Sequence, residues 1–193
     1  TNTTMNQARA LVHIYQDGSI GISTGAIEMG QGVNTKLAQV ASSVFSVDIK
    51  RIKLESTNTS RVANTSPTAA SSGADLNGNA LLIACNELVK RLKSIAAKML
   101  DCNLDDIKLE NETVLKTGKP TEIKWEKLIQ TAFLSRISLS ENGHYVTPVI
   151  HFDKTKEKGH PFAYHVYGTA AITTTLDCLR GTYVIDDVLI VHD

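Results

Sequence analysis

An α+β fold with a mixed sheet packed by helices in two layers is what this sequence predicts, on three observations. Segments with the two-residue period of strands and segments with the 3.6-residue period of helices are interleaved without a strict βαβ rhythm. Two pairs of strand-like segments are joined by tight turns, which favours antiparallel pairing over a doubly wound parallel sheet. The length of 193 residues, 42% apolar and 21% charged, suffices for one domain, or a large one with an attached lobe, and for a buried core.

In chain order, residues 8–16 (ARALVHIYQ) are β-branched and aromatic, Asp17-Gly18 supplies a turn, and 19–24 (SIGIST) alternates with Ile20 and Ile22 on one face, so a hairpin is expected. The stretch 25–32, GAIEMGQG, has too many glycines for a regular element and lets backbone approach a partner closely. Leu37, Val40, Ala41 and Val44 then recur at three and four, a helix starting near Asn34 or Thr35. Residues 51–56 alternate as a strand. From Thr57 to Asn79 the chain is polar and small, too long for a routine connector, so it is expected to be a disordered or functional loop. Leu81, Ala84, Leu88, Leu92, Ile95 and Met99 mark a helix of four to five turns with a basic second half, which suits a helix C-terminus.

Residues 106–124 read as a second hairpin turning near Asn111, with Gly118 and Pro120 as breakers, and 125–134 (WEKLIQTAFL) as a short amphipathic helix. Loop and short strand fill 135–161, where Asn142-Gly143, Pro148 and Gly159 interrupt. Residues 163–177 and 182–193 form a long β-branched hairpin around Arg180-Gly181. Trp125, Phe133, Tyr164 and Tyr167 are expected in the core. There is no internal repeat.

Composition excludes several functions. Lys+Arg and Asp+Glu are 20 each, so no net field draws the chain to nucleic acid or an anionic membrane. No apolar run approaches the roughly 18 residues of a spanning helix and no secretory leader opens the chain, so a cytoplasmic protein is expected. Cys85, Cys102 and Cys178 contain no CxxC pair, and read as reduced thiols behaving as small apolar residues. The chain starts at Thr1 and stops at Asp193 straight after Val188-Leu189-Ile190-Val191, as if cut within a strand.

Both polar loops run into predicted helix N-termini, where unpaired N–H groups and a partial positive charge bind anions without lysine or arginine. Two such loops favour one elongated phosphorylated ligand. Neither a Walker loop nor GxGxxG is present. Glu28 is a possible general base, though a carboxylate beside a helix start is favoured by the dipole alone. The six histidines form no HxxxH pair, so zinc is not expected. Ser71 and Ser72 lack a GxSxG elbow and read as helix caps or anion donors.

The two loops, Glu28-Met29-Gly30-Gln31-Gly32 and Ser66-Pro67-Thr68-Ala69-Ala70-Ser71, joined by a helix and a strand, resemble the molybdopterin-binding domain of the xanthine dehydrogenase/aldehyde oxidase family. Residues 5–20, 34–42, 136–145 and 161–168 also look like family segments in family order, so the likeness covers nearly the whole chain, with xanthine dehydrogenase the closer match. It implies that residues 1–193 are part of a molybdenum cofactor-binding domain, an excised piece of a larger subunit. It implies cofactor contacts from Met29, Gly30, Gln31 and Gly32, and from Thr68, Ala69, Ala70 and Ser71, with the Ala70 backbone beside the molybdenum. Thr1 matches the threonine of a Phe-Thr pair that lines the family's substrate pocket. Two departures stand out: Gly73 replaces a frequent serine, and Ala26-Ile27 a usual Gly-Thr.

The family's general-base glutamate in a Gly-Glu-Pro context has no counterpart in this chain, nor do the iron–sulfur and FAD segments. The resemblance therefore implies a parent that hydroxylates hypoxanthine or xanthine, in partnership with the remaining molybdenum, iron–sulfur and FAD domains. The 193 residues alone are expected to hold no metal, to turn nothing over and to keep both loops mobile. A stand-alone small-molecule-binding or interaction domain, or an aldehyde oxidase-type parent, is the alternative.

Overall fold

Ala8, Ala10, Val12 and Ile14 place four buried apolar side chains on one face of β1 (Gln7–Ile14), as a period-two strand covering a core must. Asp17 closes the following turn by accepting from the Ser19 N–H at 2.9 Å, and β2 (Ile20–Thr24) returns antiparallel to β1. The computed structural model describes residues 5–55 and 57–192.

α1 (Val33–Phe45) buries Val33, Leu37, Ala38, Ala41 and Phe45 on one stripe and ends in left-handed Ser46, whose N–H donates to the Ser42 carbonyl. This crossover brings β3 (Ile52–Leu54) parallel to β2. β7 (Ser140–Val146) pairs antiparallel with β1 on the other side, giving a mixed four-stranded sheet in the order β3-β2-β1-β7.

α2 (Gly73–Leu100) lies across β1 and β7. Its buried stripe runs from Leu76 through Ala80, Ala84, Leu88 and Leu92 to Ile95. It starts well before the loop end expected at Asn79. The asparagines that read as loop formers instead donate back into the helix, Asn77 Nδ2 to the Gly73 carbonyl and Asn79 Nδ2 to the Asp75 carbonyl, both at 2.9 Å. Asp75 in the first turn adds favourable charge at the N-terminus. Asn142-Gly143 sits mid-strand, since Gly143 lets β7 approach the backbone of α2.

β4 (Ile107–Glu110), β5 (Thr113–Lys116) and β6 (Lys119–Lys124) form a three-stranded antiparallel sheet leading into α3 (Trp125–Leu134). Trp125 is 2% exposed, packs its ring 5.8 Å from that of Phe45 and donates from Nε1 to the Gly18 carbonyl at 2.8 Å. Phe133 falls off the buried stripe of α3 and is exposed rather than core.

Arg51 ties this sheet to the first one through Glu112 in the β4–β5 turn, Nε to Oε1 at 2.7 Å and Nη2 to Oε2 at 2.8 Å, and also meets Glu126. The guanidinium holds the Glu112 carboxyl down at about 2. Because that value lies below the unfolded one, the contribution is complete above the usual glutamate range and is lost as pH falls through about 2. Glu112→Gln is expected to cost about 1 kcal/mol at pH 7. In urea titrations the gap to wild type should close as pH drops towards 2; a gap independent of pH would refute the assignment.

Residues Pro148–Asp193 form a separate unit. It contains a small hairpin of β8 (His151–Asp153) and β9 (Lys158–His160), and a long one of β10 (Gly168–Asp177) and β11 (Thr182–His192). Ile172, Leu176, Val184, Ile185, Leu189 and Ile190 are exposed on this hairpin. Tyr164 and Tyr167, expected in the core, are likewise exposed at 58% and 72%. No helix among the described residues is long and apolar enough to cross a membrane.

Candidate cofactor site

Each loop is placed by the strand that precedes it and the helix that follows. The first, residues 25–32, leaves β2 and enters α1; the second, residues 57–72, leaves β3 and enters α2. The second is rooted on β1 by a reciprocal pair, Gln7 N–H to Ser66 Oγ at 3.0 Å and Ser66 N–H to the Gln7 carbonyl at 2.9 Å. The two loops meet where the Ile27 N–H donates to Thr68 Oγ1 at 2.9 Å and where Thr57 Oγ1 donates to the Ala26 carbonyl at 3.1 Å. The approach is close because residue 25 is glycine: a Cβ there would lie 2.2 Å from Thr65 Oγ1.

Within the first loop, Gln31 accepts at Oε1 from the Met29 N–H at 2.6 Å and donates from Nε2 to the Ile27 carbonyl at 2.8 Å. A primary amide carries two N–H groups and two lone pairs, so one donor and one acceptor site of Gln31 remain for a ligand. Glu28 accepts from the N–H groups of Gly30, Gly32 and Asn34 at 2.9, 3.0 and 3.0 Å. These bonds hold its carboxyl below the usual range. Its place as a dipole-favoured carboxylate stands, and the α1 entrance that the sequence predicts to offer unpaired donors is occupied by the chain's own anion.

The second loop behaves differently. α2 receives no side-chain hydrogen bond at its N-cap residue, Ser72, whose hydroxyl donates instead to the Ala69 carbonyl at 2.8 Å; the expected serine cap is not made. Ala70 is left-handed, with φ of 52°, a conformation costing a non-glycine residue about 1 kcal/mol. Such outliers persist where the surroundings over-determine them. Met29, Gly30, Gln31, Ala69, Ala70 and Ser71 are all exposed, and an added Cβ at Gly30 or Gly32 would meet nothing within 4 Å. A planar group can therefore approach the exposed backbone of the first loop, and the α2 N-cap receives no side-chain hydrogen bond although Asp75 stands in its first turn, so the residues fit a flat pterin held mainly by loop backbone.

The chain matches the family model of the molybdopterin cofactor-binding domain over residues 1–193. It is a member of that family. As a molybdopterin cofactor-binding domain it is 39% identical to rat xanthine dehydrogenase/oxidase over 179 residues, which is 93% of this chain and 12% of the relative. It is 41% identical over 181 residues to aldehyde oxidase 2 of Macaca fascicularis, 94% of this chain and 12% of that protein. Among solved structures, quinoline 2-oxidoreductase from Pseudomonas putida 86 superposes with a TM-score of 0.77 at 20% identity, covering 96% of this chain and 23% of that one. The reconstituted CO dehydrogenase from Oligotropha carboxidovorans gives 0.77 at 19%, covering 96% and 22%. These confirm the α+β fold. The molybdopterin-binding domain spans about an eighth of the curated relatives it matches.

Of the site residues implied by resemblance, the structure brings the 29–32 and 68–71 segments to neighbouring loops joined by a hydrogen bond; Thr1 lies outside the described residues. A cleft of about 350 Å³ beside the first loop is lined by Glu28, Asn34, Glu55 and Thr57, among others, and by none of the eight implied cofactor residues. The close approach expected at the first-loop glycines is made at Gly25 against Thr65, a residue sequence reasoning missed, and Ser66, which reads in sequence only as the start of the second motif, roots that loop on β1. Only the clustering of small residues before each helix pointed to these positions. Burial pushes the Cys85 thiol up to about 12, in keeping with an inert apolar role, and no group of three or more His, Cys, Asp and Glu among the described residues could hold a metal ion.

Proposed function

We propose that this chain is the part of a molybdenum hydroxylase that orients the pterin of the molybdenum cofactor, and that its parent is a cytoplasmic enzyme of purine metabolism acting on hypoxanthine or xanthine. The observation that carries the reading is the Ile27 to Thr68 hydrogen bond at 2.9 Å, which couples the two loops that the family uses. Met29, Gln31 and the parts of the Gly30 and Gly32 backbone that Glu28 does not engage would hold the pterin from the first loop. Thr68, Ala69, Ala70 and Ser71 would hold it from the second loop, the Ala70 backbone being the one assigned to the metal. When bound, the cofactor supplies the two-electron oxidation that accompanies transfer of a water-derived oxygen to carbon.

The partners are the other domains of the molybdenum subunit and the iron–sulfur and FAD domains. The exposed apolar side chains of β10 and β11 support this, because a two-stranded hairpin is marginal alone in water and an apolar patch of this kind marks an interface. Separated from those partners the 193 residues turn nothing over.

Metal analysis and pterin extraction on the full-length protein test the reading. Molybdenum and pterin in equal amounts, with activity on hypoxanthine, are expected. A preparation with neither, inactive on hypoxanthine, would sink it; cofactor present with activity on aldehydes alone would move the parent to the aldehyde oxidase side.

A further inference from the structure

Glu28 turns both carboxylate oxygens back onto its own loop and the start of α1. Oε1 takes the N–H groups of Gly30 and Gly32, and Oε2 takes that of Asn34, the second residue of α1. An ordinary helix cap satisfies one or two donors near its own position; this one spans six residues and bridges the loop to the helix. Charge-assisted bonds to a carboxylate are about twice as strong as neutral ones. The Gln31 amide closes a second ring across the same segment, from Met29 to Ile27. The backbone that shapes Gly30 to Gly32 is thus satisfied from within.

We propose that Glu28 is a built-in anion which gives the first loop its working shape before any cofactor arrives. It is a positioning residue through which Met29 and Gln31 are presented, and the α1 N-terminus takes no phosphate from outside. The first loop is ordered without cofactor, in place of the mobility expected from the sequence. A carboxylate two residues before one glycine and four before the next, at the mouth of a helix, can reach both N–H groups only if the glycines bring their backbone round towards it. Gly30 and Gly32 have φ of 98° and 76°, which does so. Only the last step, that the presented face meets the pterin, rests on the function proposed above.

The test is hydrogen exchange by mass spectrometry on full-length protein prepared without cofactor, following peptides covering residues 26–34 and, as a folding control, 84–97. In Glu28→Gln the amide nitrogen faces the Asn34 N–H donor to donor, so exchange over 26–34 should rise roughly tenfold while 84–97 stays unchanged. Glu28→Asp, shorter by a methylene, should fail to restore protection. Inorganic phosphate added to the wild type should leave 26–34 unaltered. Unchanged exchange in Glu28→Gln, or phosphate-induced protection of 26–34 in the wild type, would overturn the proposal. On cofactor-loaded protein, pterin released per chain should fall about tenfold in Glu28→Gln, as expected when a charged hydrogen-bond set is lost. A wild type that yields no pterin would overturn the function proposed above and leave the exchange result to stand by itself.

Discussion

Gly143→Ala is expected to destabilise the fold by at least about 3 kcal/mol, at the upper end of the cost of overpacking. The added Cβ would lie 1.9 Å from the Ala80 carbonyl oxygen and 3.0 Å from the Ala84 nitrogen. Both are backbone atoms of a 28-residue helix, so no side-chain rotation relieves the contact. Either α2 lifts off the sheet or β7 leaves its register with β1, where Gly143 pairs with Ala10. A domain of this size has a stability of about 5–15 kcal/mol, so the loss is a large share of it, and Tm should fall by about 10 °C. Two companions separate the mechanism from a generic loss of glycine. Gly73→Ala, whose Cβ meets nothing closer than 3.8 Å, should be neutral or slightly stabilising. Ala80→Gly in the Gly143→Ala background should not rescue, since the obstructing atom is a main-chain oxygen. A Gly143→Ala protein that melts with the wild type would show that α2 and β7 are not in this contact.

The same contact explains what could and could not be read from sequence. Period-two and period-3.6 patterns found β1, α1 and α3, because each buries one face and its side chains record it; β2 is buried at every position, and the β10–β11 hairpin, exposed along both strands, is legible only from its β-branched residues and the turn at Arg180-Gly181. The dipeptide Asn142-Gly143 carries the strongest local turn signal, yet it lies in the middle of β7. The glycine answers a helix sixty residues away in sequence, which no local pattern encodes. The early start of α2 was hidden for a related reason. Asn77 and Asn79 look like loop residues until their amides are seen to bond carbonyls one turn back. Phe133, Tyr164 and Tyr167 look like core from composition, and exposure depends on which stripe or unit a residue falls in. At the site, motif likeness picks out segments of both loops that include exposed residues, whereas the fit of Gly25 against Thr65, which sets their spacing, belongs to no motif. The α1 entrance looked like a free anion site because the loop glycines are visible in sequence and the reach of the Glu28 carboxylate is not.

Gly25→Ala should cost the full-length protein most of its cofactor while leaving the fold standing. The new Cβ would meet Thr65 at three atoms, Oγ1 at 2.2 Å, Cγ2 at 2.7 Å and Cβ at 2.9 Å. Rotating the threonine clears the first two and not the third, so one loop has to move. The second loop is held at Ser66 by its reciprocal bonds to Gln7, which leaves the first loop to shift and the Ile27 to Thr68 bond at 2.9 Å to break. Because residues 27–31 of the displaced segment are exposed and only Ala26 is in the core, about 1–2 kcal/mol of stability is the expected loss. The cofactor is far more sensitive, since a displacement of about 1 Å in a positioning group can cost roughly a hundredfold in function. Pterin and molybdenum per chain should therefore drop at least about tenfold with only a small change in Tm. Thr65→Gly in the same background removes all three obstructing atoms and should restore a large part of the cofactor, whereas Thr65→Gly alone should change the content little. If Gly25→Ala loads cofactor as well as wild type, the two loops do not act as one clasp, and the coupling between Ile27 and Thr68 is incidental to binding.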